Sequence, residues 1–461
     1  MLKQWDSGGV RCDLPVIRAL MSALTILILL CIVSCGGDAG PLVLQPLGVP
    51  FETNRPIERT GPGVFAFPAL SSDGRYLAFA AMGSSYLSGG ADQTEILVRD
   101  RQIATFELIS VDSNEVSANE SSSDPFSPRT LDISGDGRRV AFTSKATNLV
   151  STDSTNGYDI FVRDRSSGVT ERVSIASNGD EANGNCFGPS ISDDGKFVAF
   201  YSGATNLVAD DTNAAQDVFV RSLQSQTTIR VSVAAGGAQA NGNSQNNPGQ
   251  QNNPGLSSNG RFVVFQSDAT NLVAADTNSS TDIFVRDLGD SVTERVSVSS
   301  DEIEGNEQSW LAAISGNGRF VVFLSSASNL VPSDANGNGA DLFVRDRVSG
   351  TTERIALGTG YSGGSNRSLS LSGNGGLIVF DADNSDLVPL DTNGVSDIFV
   401  VDRNADSIAR VSIGIDNNQS NGASMFPAIS GDGAYVSFES SATNLVGGAS
   451  GVFVAPNPLS P

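Results

Sequence analysis

Aspartate and asparagine recur at spacings that suit hard-cation chemistry. Asp211, Asn213 and Asp217 form one set, Asp276, Asn278 and Asp282 a second, and Asp391, Asn393 and Asp397 a third. Asp153, Asn156 and Asp159 are a variant, as are Asp334, Asn336, Asn338 and Asp341. Carboxylate and amide oxygens in this D-x-N pattern are the ligand type of calcium, which takes about six to eight oxygens. Asp334, Asn336 and Asn338 even open like an EF-hand loop, but Arg345 stands where that loop needs a bidentate glutamate. Glu95 and Gly451 replace the later aspartate in the first and last copies. The same residues are strong turn formers, and an Asx turn would cap each loop with the later aspartate opening a strand. The turn is the favoured reading and calcium the alternative. No other cofactor is implied.

A second group of amides, Asn183, Asn241, Asn306 and Asn421, sits in further polar loops and forms the candidate binding face. Asn148, Asn206, Asn271, Asn329 and Asn444, each before Leu-Val, read as turn or cap residues. Arg163, Arg221, Arg286 and Arg345, with Asp164, Asp287 and Asp346 nearby, read as solvated edge ion pairs.

Composition narrows the chemistry. The 461 residues contain no histidine, which removes the usual general base, the Ser-His and Cys-His pairs and the commonest zinc ligand. A hydrolase of the prolyl-peptidase kind and a lyase with histidine-bound metal are excluded on that ground. A glycosidase needs only two facing carboxylates, but no pair stands out. Lys+Arg total 28 against Asp+Glu 51, a net charge of -23, so nucleic acid is excluded as a partner. The chain is therefore expected not to be an enzyme.

These residues are positioned by one repeated unit. Asp/Asn-Gly turns end at Gly74, Gly137, Gly195, Gly260, Gly318, Gly375 and Gly433, at intervals of 63, 58, 65, 58, 57 and 58 residues. The long interval has a cause: Gln245-Asn246-Asn247-Pro248-Gly249 is repeated as Gln250-Gln251-Asn252-Asn253-Pro254-Gly255 with one glutamine added. Each copy reads as four short runs rich in Val, Ile and Phe, bounded by turn residues. Asp-Gly and Asn-Gly between apolar runs favour hairpins. Phe161, Phe219, Phe284, Phe343 and Phe399 recur in the third run with apolar neighbours on both sides, which implies burial on both faces. The spacing predicts an all-β, seven-bladed propeller of four-stranded antiparallel blades. The last copy stops after its third strand, so a strand from residues 41–51 is expected to close the ring.

Ser72-Asp73-Gly74-Arg75-Tyr76-Leu77-Ala78-Phe79 and its counterpart from Ser134 to Phe142 resemble the WD40-like repeat of TolB-type propellers, S-x-D-G-x-x-[IVL]-[AV]-F. The resemblance covers about residues 60–455 and implies a propeller with an interaction role, often in the bacterial envelope. Many TolB-like propellers have six blades, which is the alternative count.

Ahead of the repeats, Arg11 and Arg18 precede an apolar run at 19–33 that ends in Ser34-Cys35-Gly36-Gly37. The run is shorter than the ~20 residues that span a bilayer, and its arrangement is that of a signal peptide. Ile32-Val33-Ser34-Cys35 resembles the bacterial lipobox, in which the cysteine is acylated. The expected organisation is a signal peptide at 1–34, a tether at 35–40 and a propeller at 41–461. Cys35 is expected to anchor the protein to the outer membrane. Cys186 is then the only cysteine of the propeller and reads as a small buried hydrophobe. The expected function is a non-catalytic scaffold that grips an envelope protein or peptide. The alternative is a glycan-binding or carbohydrate-active propeller whose Asp/Asn loops are assisted by calcium.

Overall fold

The computed structural model describes residues 57–59, 67–82, 93–123, 129–154, 156–245, 253–274, 276–332, 334, 339–355, 368–389, 391–414, 417–446 and 448–460. The expected leader, Cys35, the tether, residues 41–51, Asn336 and Asn338 lie outside them.

The described residues form seven four-stranded antiparallel sheets and no helix. Blade 3 shows the pattern. Its strands are Cys186–Ile191, Phe197–Ser202, Asp217–Ser222 and Thr227–Arg230, paired in chain order. Phe200 stands opposite Phe219, and their rings stack at 5.8 Å. Five further blades repeat this pair, from Phe142–Phe161 to Phe438–Phe453. Side chains alternate across each strand. Val198, Phe200 and Phe219 therefore pack on Ala141, Ile160 and Val162 of blade 2, while Ala199, Val218 and Val220 pack on Val263 and Phe265 of blade 4. Burial on both faces is what the consecutive apolar residues required. The count is seven, so the six-bladed alternative falls.

The last blade consists of Ser424–Ile429, Tyr435–Ser440 and Gly451–Pro456, closed by Glu58–Arg59 from the other end of the chain. Closure by an N-terminal strand was expected, but the segment differs: residues 58–59, not 41–51, pair with the last strand. The register explains why. Arg59 faces Phe453 as Arg230 faces Phe219, and Glu58 faces Val454 as Glu171 faces Val162. Glu58-Arg59 thus completes the last copy with the same Glu-Arg that ends strand four elsewhere.

The turn glycines are needed twice over. Gly137 has φ +70°, and a Cβ there would sit 2.1 Å from the Tyr76 ring of the preceding blade. A left-handed backbone and a neighbouring aromatic both exclude a side chain. Arg165 completes this joint by lying 4.5 Å over the same ring and donating to the Gly137 carbonyl at 2.5 Å. Between blades 7 and 1 the same joint is made by Arg101 over Tyr435 at 4.3 Å.

Candidate functional site

The D-x-N loops come first, because the sequence singled them out. Each holds an arginine from the end of strand four. Arg230 Nη1 lies 3.0 Å from Asp211 and 3.1 Å from Asp217. Arg295 reaches Asp282 at 3.2 Å, Asp276 at 3.6 Å and Glu304. Arg354 reaches Asp334 at 3.4 Å and Asp341 at 3.3 Å. Arg410 meets Asp391 at 3.2 Å and Asp397 at 3.7 Å. In blade 2, Arg172 does the same for Asp153, Asp159 and Glu181. The asparagines donate inward: Asn213, Asn278 and Asn393 bond Asp217, Asp282 and Asp397 at 2.9, 3.1 and 2.7 Å. Ser232, Ser297 and Ser412 close the other oxygen of these aspartates, each at 2.5 Å.

Two of these sets bring three carboxylates together, Asp153–Asp159–Glu181 and Asp276–Asp282–Glu304, with oxygens within 4.8 Å of one another. The donor type and number suit a hard cation, but a guanidinium already lies among the same oxygens, and calcium would compete with it. The charge balance shows in the titration of blade 4. Burial, together with the charge of Asp282, pushes Asp276 up to about 6. Against burial, bonds from Thr277 and the charge of Arg295 hold Glu304 down to about 2. Blades 3 and 6 replace this glutamate by Gln239 and Gln419, which bond Thr212 and Thr392 in the same way. In blade 1, where Glu95 replaces the aspartate, Leu108 replaces the arginine, and burial raises Glu95.

The candidate face of Asn183, Asn241, Asn306 and Asn421 is a set of clasps. The Asn183 amide nitrogen of the backbone donates to Asn206 Oδ1 at 2.9 Å, while the Asn183 side chain bonds Thr205 through both its oxygen and its nitrogen. Asn241–Asn271, Asn306–Asn329 and Asn421–Asn444 repeat it. Both amide groups face the neighbouring loop.

Arg163, Arg221, Arg286 and Arg345 are not solvated edge residues. Arg163 is 3% exposed, and it donates to the Asp112 carbonyl of the adjoining blade and to Thr170. Their sequence neighbours Asp164, Asp287 and Asp346 pair instead with Arg138, Arg261 and Arg319 near the turns. Cys186 is buried, and burial pushes its thiol up to about 12. Trp310 is 3% exposed within the core of blades 5 and 6, so it offers no stacking platform for a sugar.

Departures from the repeat collect at the axis instead. The first strands surround a cavity of about 190 Å³. At one end, backbone bonds run from blade to blade: Ser72 to Gly135 at 2.9 Å, Gly135 to Asp193 at 3.0 Å, Ser258 to Gly316 at 2.8 Å and Gly373 to Gly431 at 2.9 Å. At the other end the first strands bulge, with register shifts before Ser190, Ala313 and Ala428. Phe67, Leu311 and Phe426 there take φ of 28°, 54° and 55°, which bulky side chains rarely adopt. Such strain persists where surrounding structure enforces it, and it clusters at binding sites. The rings of Phe67 and Phe426 meet edge to face at 4.9 Å. Three charged residues line the wall, Arg129 and Asp132 from blade 2 and Asp193 from blade 3. Burial pushes Asp132 up to about 6 and lowers Arg129. Neither was flagged by the sequence, because both lie where the copies differ.

The ring is a seven-bladed β-propeller with a polar axial cavity. No protein-family description matches the sequence, and neither does any curated protein. Solved structures do. An oligogalacturonate lyase in complex with manganese is 12% identical, with a TM-score of 0.52 over 87% of this chain and 93% of that one. An oligogalacturonate lyase from Vibrio parahaemolyticus is 11% identical, with a TM-score of 0.51 over 87% and 94%. TolB from Acinetobacter baumannii is 14% identical, with a TM-score of 0.37 over 83% and 80%. TolB propellers are thus among the similar structures, and at these identities the likeness is one of fold. It also corrects an expectation. Enzymes, the lyases included, share this ring, so the exclusion of catalysis drawn from the sequence does not stand.

Proposed function

We propose that this propeller binds a protein or peptide of the bacterial envelope at the bulged mouth of its axial cavity, and that lipid on Cys35 holds it at the outer membrane. One observation carries the reading. The loop residues repeated from blade to blade bond one another, whereas the mouth gathers strained Phe67 and Phe426 beside Arg129 and Asp132. Aromatic and arginine side chains around a concave site are the usual anchors of a protein contact. With acyl chains contributing ~0.8 kcal/mol per buried methylene, two or more would keep the ring at a membrane.

Cross-linking in the native envelope, followed by identification of the adduct, tests the partner. A protein adduct is expected, and recovery of polysaccharide alone would move the reading to a glycan ligand. Replacing Cys35→Ser should release the protein from the membrane fraction; unchanged fractionation would remove the anchor from the proposal.

A further inference from the structure

This inference rests on the axial mouth being the docking site. Six first strands turn a small residue toward the axis at one register: Ala69, Ser190, Gly255, Ala313, Ser370 and Ala428. Blade 2 alone has Asp132 there, with Arg129 three residues earlier. Arg129 crosses the axis and donates from Nη2 to the Leu369 carbonyl of blade 6 at 2.6 Å. Its own carbonyl accepts from Asn253 Nδ2 of blade 4 at 2.7 Å. A guanidinium carries five N–H donors in a rigid fork, and among the described residues the Leu369 carbonyl is its one hydrogen-bond acceptor.

Asp132 does not take the remainder. Its carboxylate accepts the amides of Ile133 and Ile191, each at 2.9 Å, and the Ser190 hydroxyl, and no ion pair joins it to Arg129. Pro68, Pro189 and Pro427 on the wall carry no backbone N–H, and Arg129 is the cation among the lining residues. A guanidinium with spare donors in a small-walled cavity is a receptor for an anion, and a planar carboxylate matches its fork. The cavity of about 190 Å³ admits a terminal group and not a folded element.

We propose that the axial cavity captures the C-terminal carboxylate of an extended peptide segment, its oxygens on the Arg129 fork and the preceding residues against Phe67 and Phe426. The charged groups that line the cavity are Arg129, Asp132 and Asp193. Asp132 is held up to about 6 by burial. Its protonation on going from neutral to mildly acid pH removes a negative charge beside the ligand. Binding therefore tightens as pH falls through that range.

Calorimetric titration of the full chain with trialanine, trialanine amide and acetate tests this. Trialanine is expected to bind, with the amide and acetate each at least tenfold weaker. Arg129→Gln should lose tenfold or more, and Arg129→Lys, which keeps charge without the fork, should fall between. Thermal melts of both variants check that the ring remains intact. Equal binding of the amide, undiminished binding by Arg129→Gln, or no binding of trialanine overturns the inference. Acetate binding as tightly as trialanine would assign the site to free small acids and overturn the chain-end part. An envelope protein that still cross-links to Arg129→Gln would leave the docking site standing and remove only the carboxylate.

Discussion

The D-x-N loops and the axial first strands come from the same seven repeats, yet they use charge in opposite ways. In blade 3, Asp211 and Asp217 share Arg230, and Asn213 and Ser232 occupy the remaining oxygens of Asp217. Each carboxylate there meets a guanidinium of its own blade. At the axis, Arg129 has one carbonyl partner across the cavity, and Asp132 stands where the other blades have alanine, serine or glycine. The difference teaches where to look in a repeat protein. What every copy shares builds the ring, and what one copy departs from is available for a ligand.

The first way to break this comparison is to remove an answered charge. Arg230→Ala leaves Asp211 and Asp217 buried without a cation, and losing one partner of a buried pair costs about 3–5 kcal/mol. Denaturant unfolding should show that loss, whereas Arg129→Gln at the axis should cost under about 1 kcal/mol. Similar costs at both places would erase the distinction.

A smaller effect concerns pH. The folded-state value of Asp132 lies above its ordinary 3.8, at about 6. The folded state therefore binds more protons than the unfolded chain between those values, and this residue's contribution to stability falls as pH rises through the window. Asp132→Ser removes that dependence, because Ser370 in blade 6 already takes the equivalent amide, that of Ile429, at 3.4 Å. Unfolding free energies at pH 5 and pH 8 should differ by about 1–2 kcal/mol less in the variant than in the parent, a shift of two units being worth up to ~2.7 kcal/mol before solvent in the cavity screens it. An unchanged difference would show that Asp132 is not desolvated.

The smallest effect is expected from chelation. Because Arg230, Arg295 and Arg410 already balance their carboxylates, thermal midpoints with excess calcium and with chelator should agree within about 1 °C. A clear rise with calcium would place a cation among Asp276, Asp282 and Glu304 in spite of Arg295.

Much of the ring was legible in the sequence. Period, strand count and turn glycines follow from local rules that act the same way in every copy. The arginines of the loops are legible too: each follows its aspartate by 13 residues, as Arg230 follows Asp217, and blade 1 changes both together to Glu95 and Leu108. Hydrophobicity points to 41–51 for the closing strand, while the informative signal is Glu58-Arg59 matching Glu171-Arg172. The axis was not legible. Arg129, Asn253 and Leu369 lie far apart in the chain and meet only when seven blades close, and no repeat pattern marks a residue whose significance is that it breaks the pattern.

The most direct measurement places a photo-cross-linking amino acid at Phe426 in one protein and at Asn241 in another, both irradiated in the intact envelope. Partner adducts from position 426 and none from position 241 are the predicted result. Adducts from 241 with none from 426 would put the contact on the clasped loops and contradict the account.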